Sequence, residues 1–234
     1  MDTRILFVAL SLLAAASAGA QPRGAPAPAS GGWQQEFNLS ACNLLTKGRN
    51  EYFVLEPGFR LEFQDGGDKL HITVLNETKM VAGVETRVVE EREWKDGELT
   101  EVSRNYFAIC EQTKDVFYFG EDVDNYKKGK VDNHNGTWLA GQSGNRPGLI
   151  MPGNPKPGMR YYQEIAPGVA MDRAEVISVN ETCKTPAGTF KRCLKVKETS
   201  AIELLASEYK YHAPGIGLVR DEDLRLVKYG FINH

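Results

Sequence analysis

Basic charge in excess, long apolar runs, clustered histidines and helical periodicity are all scarce in this 234-residue chain. With 28 Lys and Arg against 31 Asp and Glu, the formal net charge is −3. The positive surplus that phosphate binding needs is missing, so no nucleic-acid partner is expected. Gly and Pro number 23 and 11, too few for a collagen-like or low-complexity chain, and 41% hydrophobic residues exclude a disordered one. No Walker A sequence, H-E-x-x-H or C-x-x-C occurs. Gly141-Gln-Ser143-Gly144 lacks the fifth-position glycine of a nucleophile elbow, and Gly215-Ile-Gly217 lacks the third glycine of a dinucleotide fingerprint. The histidines at 71, 134, 212 and 234 are scattered, so a His-based triad would have to be assembled by the fold. No cofactor is expected.

What is present points first to a compartment. Residues 1–20 carry Arg4, an apolar run from Ile5 to Ala16 and Ala18-Gly19-Ala20 before Gln21, the order of a secretory signal cleaved after Ala20. The run is shorter than the roughly 20 residues that span a bilayer, and no later stretch approaches it. Residues 21–32, rich in Pro, Ala and Gly, read as a flexible leader, and residues 33–234 as a single β-rich domain. A secreted or periplasmic protein with no transmembrane segment after cleavage is expected. Four cysteines in such a protein predict two disulfides, with three possible connectivities. Cys183 and Cys193 flank Thr185-Pro186-Ala187-Gly188-Thr189; a three-residue hairpin loop there puts both sulfurs on one face, diagonally placed at about 7 Å, the upper limit for a bridge. Cys42 with Cys110 then follows by elimination.

Apolar residues recur with a period of two. Phe59, Leu61 and Phe63 alternate with polar residues, as do Leu70, Ile72 and Val74 beyond Asp65-Gly66-Gly67-Asp68, which predicts a β-hairpin with one face in a core. Further strands are predicted up to Asp223–Phe231, and Asp115-Val-Phe-Tyr-Phe119 reads as a strand covered on both sides. The only helical hint is a turn or two within 199–209. The fold class is therefore all-β, a mainly antiparallel meander forming a curved sheet or barrel, because so many strands in a flat sheet would leave long bare edges. Gly141–Gly158, with three Pro-Gly pairs, reads as a long irregular loop, a lid or rim.

Around that loop, Trp138-Leu-Ala-Gly141, Arg146-Pro-Gly-Leu-Ile-Met-Pro-Gly153, Gly158-Met-Arg-Tyr-Tyr-Gln-Glu164, Ala166-Pro-Gly-Val-Ala-Met-Asp172, Thr185-Pro-Ala-Gly188 and Tyr211-His-Ala-Pro-Gly-Ile-Gly217 follow one another. Together with Asp115-Val-Phe-Tyr-Phe-Gly-Glu-Asp-Val123, they resemble a family of bacterial exported proteins of unassigned function, over roughly residues 50 to 230. The resemblance implies a secreted or periplasmic β-rich domain and brings no catalytic residues. In a bacterial protein the sequons at Asn38, Asn76, Asn135 and Asn180 are expected to be bare surface asparagines.

For charge chemistry the best candidates are Glu121, Asp122 and Asp124, carboxylates that could hold Ca²⁺ or act as general acid and base if one were buried. A solvated turn is the plainer reading, and no metal is assigned to them. Met151, Met159, Met171 and His212 could hold copper, but methionine more often fills gaps in a core. Trp138, Met151, Tyr161, Tyr162, Tyr209 and Tyr211 are the candidates for a ligand pocket, aromatic bodies with polar tips. The sequence thus favours an exported, non-enzymatic binding or carrier module for a small apolar or amphipathic ligand, a small molecule or lipid. The alternatives are a carboxylate-dependent hydrolase of envelope polymers and a structural or assembly protein of the envelope.

Overall fold

The computed structural model describes residues 32–232; the segments read from sequence as signal peptide and, but for Gly32, flexible leader lie outside the described residues. A 3-10 turn at Leu39–Ala41 precedes β1 (Leu44–Leu45), β2 (Gly48–Asn50) and β3 (Phe53–Leu55). The central meander is β4 (Phe59–Asp65), β5 (Asp68–Val81), β6 (Val84–Lys95), β7 (Glu98–Cys110) and β8 (Val116–Lys127). Shorter strands come next: β9 (Lys130–Asn133), β10 (Trp138–Leu139), β11 (Arg146–Met151), β12 (Arg160–Tyr162) and β13 (Glu164–Ile165). The chain ends with β14 (Asp172–Thr185), β15 (Gly188–Ser200), β16 (Ser207–Ala213), β17 (Gly217–Asp221) and β18 (Leu224–Phe231).

All ladders of the main sheet are antiparallel, in the order β12-β14-β15-β16-β17-β18-β4-β5-β6-β7-β8-β11-β13. The sequence-predicted hairpin is β4–β5, with Phe63 opposite Leu70 and Leu61 opposite Ile72. The two ends of this order are consecutive in the chain. Tyr161 ladders with Ala174 of β14, while Glu164 pairs with Pro147 of β11. Between them, the Gln163 N–H donates to the Asp172 carbonyl at 2.8 Å. Residues 160–165 therefore form a seam that nearly closes the sheet into a barrel, which leaves few bare edges.

The seam requires close approach of backbones. A Cβ on Gly148 would lie 2.1 Å from the Gln163 carbonyl oxygen, so only glycine fits where β11 meets the seam. This corrects the expectation of an irregular loop over 141–158: Arg146–Met151 is a strand, paired first with β13 and then with β8. Pro147 sits where the strand changes partner, so its missing N–H interrupts no continuous ladder. The helical hint within 199–209 is likewise replaced, because β15 runs to Ser200 and β16 restarts at Ser207, with Thr199 opposite Ser207. No helix among the described residues is long and apolar enough to cross a membrane.

One end of the barrel is stoppered by the β2–β3 hairpin. Asn50 Nδ2 donates to the carbonyls of Lys114 and Pro152 at 2.8 and 2.9 Å, and the Gly215 N–H donates to the Glu51 carbonyl at 2.7 Å. Phe53 drops inward against Phe107, ring centroids 5.3 Å apart. Around it Phe59, Leu61, Val74 and Ile216 are buried in the main core. Residues 116–119 are all at most 4% exposed, as expected for a doubly covered strand; Phe37 of the N-terminal segment packs edge-on against Phe117 from outside.

Of the cysteines, Cys42 and Cys110 form the disulfide, Cα atoms 5.1 Å apart, tying the N-terminal segment to the end of β7. Cys183 and Cys193 are buried free thiols, which corrects the expected bridge between them. The connection is a two-residue turn with Thr185 opposite Gly188, followed by a register shift, so Cys183 is opposite Phe190 and Cys193 opposite Glu181; the two thiols are still neighbours in hydrogen-bond contact, but not bridged. The positive φ of 55° at Arg192 marks the irregularity. The four sequon asparagines are all exposed.

Candidate functional site

The barrel interior holds a cavity of about 270 Å³ whose wall changes character along its length. Toward the stoppered end it is apolar, with Phe53, Phe59, Val89, Phe107, Ile216 and Leu218. Toward the other end, where the β6–β7 and β15–β16 connections lie, the same strands present acids. Strand β6 runs from Val89 to Glu91 and Glu93, β15 from Val196 to Glu198, and β7, entering from that mouth, from Glu101 through Asn105 to Phe107. Because successive inward residues lie two apart, each strand carries this gradient by itself.

Two β-bulges add acids that simple alternation would turn outward. Opposite Asn105 and Phe107 stand Glu121 and Tyr118, so β8 carries one extra residue there and both Tyr118 and Glu121 face the cavity. Gly120, at φ +130°, takes the strain; a Cβ there would meet the Trp138 carbonyl oxygen at 2.3 Å. In the same way Lys210 and His212 oppose Asp221 and Leu218, and both of the latter line the cavity.

The charge census is one-sided. The lining contains nine carboxylates, one ammonium group, that of Lys210, and no guanidinium. That leaves 27 basic against 22 acidic side chains elsewhere in the chain, so a near-neutral protein has an acidic interior and a mildly basic remainder. Lys210 Nζ lies 3.1 Å from Glu198 Oε2, 3.1 Å from Glu208 Oε1 and 3.6 Å from Asp221 Oδ2. Burial alone would lower the Lys210 pKa, but these three carboxylates outweigh it and hold the pKa well above its ordinary value. Glu198 is also desolvated, yet Lys210 and a 2.6 Å hydrogen bond from Gln163 Nε2 bring it below the usual range.

Burial raises Glu208 to about 9 in spite of Lys210, and acids farther from that ammonium group shift the same way. Burial, reinforced by neighbouring acids, pushes Glu91 to about 7, and Glu93 and Glu121 to about 8. Burial raises Glu101 and Asp172 to about 7 and Glu164 well above its usual range. Desolvation also keeps His212 neutral, at about 4, so it adds no positive charge at pH 7. Three polar atoms of lining residues lack any partner: the Tyr161 hydroxyl, Gln163 Oε1 and His212 Nδ1, on side chains 1%, 4% and 9% exposed. The loop 201–206 at the mouth sends Ile202 and Glu203 into the lining and holds Leu204 and Leu205 in solvent.

Of the residues singled out by sequence, Met151 and Tyr161 line the cavity, and Trp138 packs edge-on against the lining residue Tyr118, centroids 5.3 Å apart. Tyr162 points away, against Trp33. Tyr209 and Tyr211 lie on the outer face of β16 beneath Lys195 and Arg220, while Glu208, Lys210 and His212 take the inner face. The acidic trio is split by strand alternation. Glu121 is inward, whereas Asp122 accepts from Lys79 Nζ at 2.6 Å and from the Tyr106 hydroxyl, and Asp124 pairs with Arg104 and His134. Among the described residues, no three His, Cys, Asp or Glu side chains converge so as to hold a metal ion. Glu91, Glu93, Glu101, Glu164 and Asp172 were not among the sequence candidates. Their one signal was charge on both faces of a strand, as in Glu90-Glu91-Arg92-Glu93, where alternation should have left one face apolar.

No family model matches the chain, and neither a curated protein nor a solved structure is significantly similar to it.

Proposed function

We propose that this protein is an exported binding or carrier module whose barrel interior takes one small amphipathic ligand. The observation that carries this reading is the graded wall: an apolar chamber closed by Phe53 and the β2–β3 hairpin, opening into a polar mouth. A ligand with an apolar body and a polar head matches both ends at once, and burial of the body supplies most of the affinity. The secretory signal of residues 1–20 and the Cys42–Cys110 disulfide support an oxidising compartment. Native mass spectrometry of protein exported to the periplasm and purified without denaturation tests the reading. A discrete extra mass, lost on denaturation, is expected; a clean ligand-free mass together with no binding of amphipathic probes overturns it.

Hydrolysis of an envelope polymer is the second reading, favoured by one observation: Glu121, with a pKa raised by burial to about 8, holds a proton at neutral pH as a general acid must. Cleavage of envelope polysaccharide fragments that disappears in Glu121→Gln would establish it in place of the carrier.

A further inference from the structure

We propose that the mouth of the cavity is a receptor for an organic cation, so that the ligand is an alkylammonium ion or related amine whose apolar body lies toward Phe53 and Phe107. This rests on the carrier reading and specifies its ligand. Lys210, the single cation of the lining, is already enclosed by Glu198, Glu208 and Asp221. Glu91 and Glu93 from β6, Glu101 from β7 and Glu121 from β8 form one acidic wall without a basic partner in the lining. Glu164 and Asp172 at the seam, with Glu203 of the mouth loop, form the other. As pH rises through about 7 to 8 and these acids ionise, an anionic head would meet like charge and a neutral one would leave them uncompensated, whereas a cation favours their ionised form.

The partnerless polar atoms point the same way. Gln163 commits its amide N–H to Glu198, so its free Oε1 is an acceptor. The Tyr161 hydroxyl and neutral His212 Nδ1 can also accept, and an ammonium group brings up to three N–H donors. The acids are spread around the mouth with no convergent triad, which suits a diffuse organic cation over a metal ion needing several oxygens at about 2.3–2.6 Å. Raised carboxylate pKa values add a signature: with Glu91 and Glu101 near 7, cation entry at pH 7 should expel protons.

The test uses the full chain, exported and disulfide-bonded, titrated calorimetrically at pH 8 with octylammonium, 1-octanol and octanoate, three probes that share one tail. Octylammonium is expected to bind at least about tenfold tighter than octanol, and octanoate weakest of all. In Glu91→Gln and Glu101→Gln, its affinity should fall about tenfold, with that of octanol unchanged. At pH 7 its binding should release protons, read from the dependence of heat on buffer. If octanol binds as tightly as octylammonium, the cation receptor is refuted and the carrier reading survives. If no probe binds and the native mass is ligand-free, both fall. Should a glutamine variant fail to fold, the three-probe comparison on the unmodified chain still decides.

Discussion

Lys210 and Glu198 meet diagonally across the β15–β16 ladder with Nζ and Oε2 3.1 Å apart, and the second oxygen of Glu198 is held by Gln163 from the barrel seam. One ion pair thereby couples the mouth of the cavity to the closure of the sheet. Replacing Lys210 with Met leaves the ionised Glu198 and the nearby Asp221 without a counter-charge, and should cost about 3 kcal/mol at pH 8. Urea unfolding at pH 8 and pH 5 checks this: most of the loss should vanish at pH 5, where those acids can take up protons.

The unpaired acids predict an unusual pH profile. Glu91, Glu93, Glu101, Glu121 and Asp172 have folded pKa values of about 7 to 8, above their ordinary values near 4 to 4.5. The folded state therefore binds more protons than the unfolded one between those limits. Their contribution to stability is fully present below the unfolded pKa and is lost as pH rises through about 7 to 8. The melting temperature should be higher at pH 5.5 than at pH 8.5 by at least about 5 °C, and Glu93→Gln should flatten the slope. A melting temperature that rises across this interval would contradict the acidic interior.

Neighbours on β8 should behave oppositely. Asp122→Asn loosens an outer-face contact with Lys79 and Tyr106, and Asp124→Asn one with Arg104 and His134, each costing about 1 kcal/mol or less. Neither should change octylammonium affinity, whereas Glu121→Gln should lower it. Equal losses in all three would place the working carboxylates on the wrong side of the sheet.

Gly148→Ala probes the seam directly. Its Cβ would collide with the Gln163 carbonyl, so β11 or the seam must shift, at a cost of about 3 kcal/mol. Faster amide hydrogen exchange in residues 160–165 than in β5 and β6 would be the accompanying sign.

The cysteines give a prediction in mass and in stability. The native chain should be two hydrogens lighter than its fully reduced form, and Cys183 and Cys193 should react with an alkylating reagent only after unfolding, because both are buried. A deficit of four hydrogens would show that they too are bridged. Reducing Cys42–Cys110 opens a loop with a sequence separation of 68 and should destabilise the fold by about 4 kcal/mol.

The amino-acid order by itself determined the all-β class, since the alternation from Phe59 to Val74 and the turn at Gly66-Gly67 are local, each strand recording which of its faces is dry. It also named Met151 and Tyr161, which line the cavity. Only the tertiary structure decided the direction of the charges. Tyr209 and Tyr211 alternate with Glu208, Lys210 and His212 on one strand, and either set satisfies period two; which one faces inward depends on the register that β15 and β17 impose. Glu121 and Asp221 turn inward through bulges, where one extra residue reverses the parity of every side chain beyond it on the strand. Arg146–Met151 became a strand because two distant partners supplied its hydrogen bonds, despite a proline and a glycine that read locally as loop. Acids cost a solvated strand nothing; an acidic interior arises only when closure of the barrel brings those of seven strands and a mouth loop around one space, and the desolvation it imposes is what raises their pKa values.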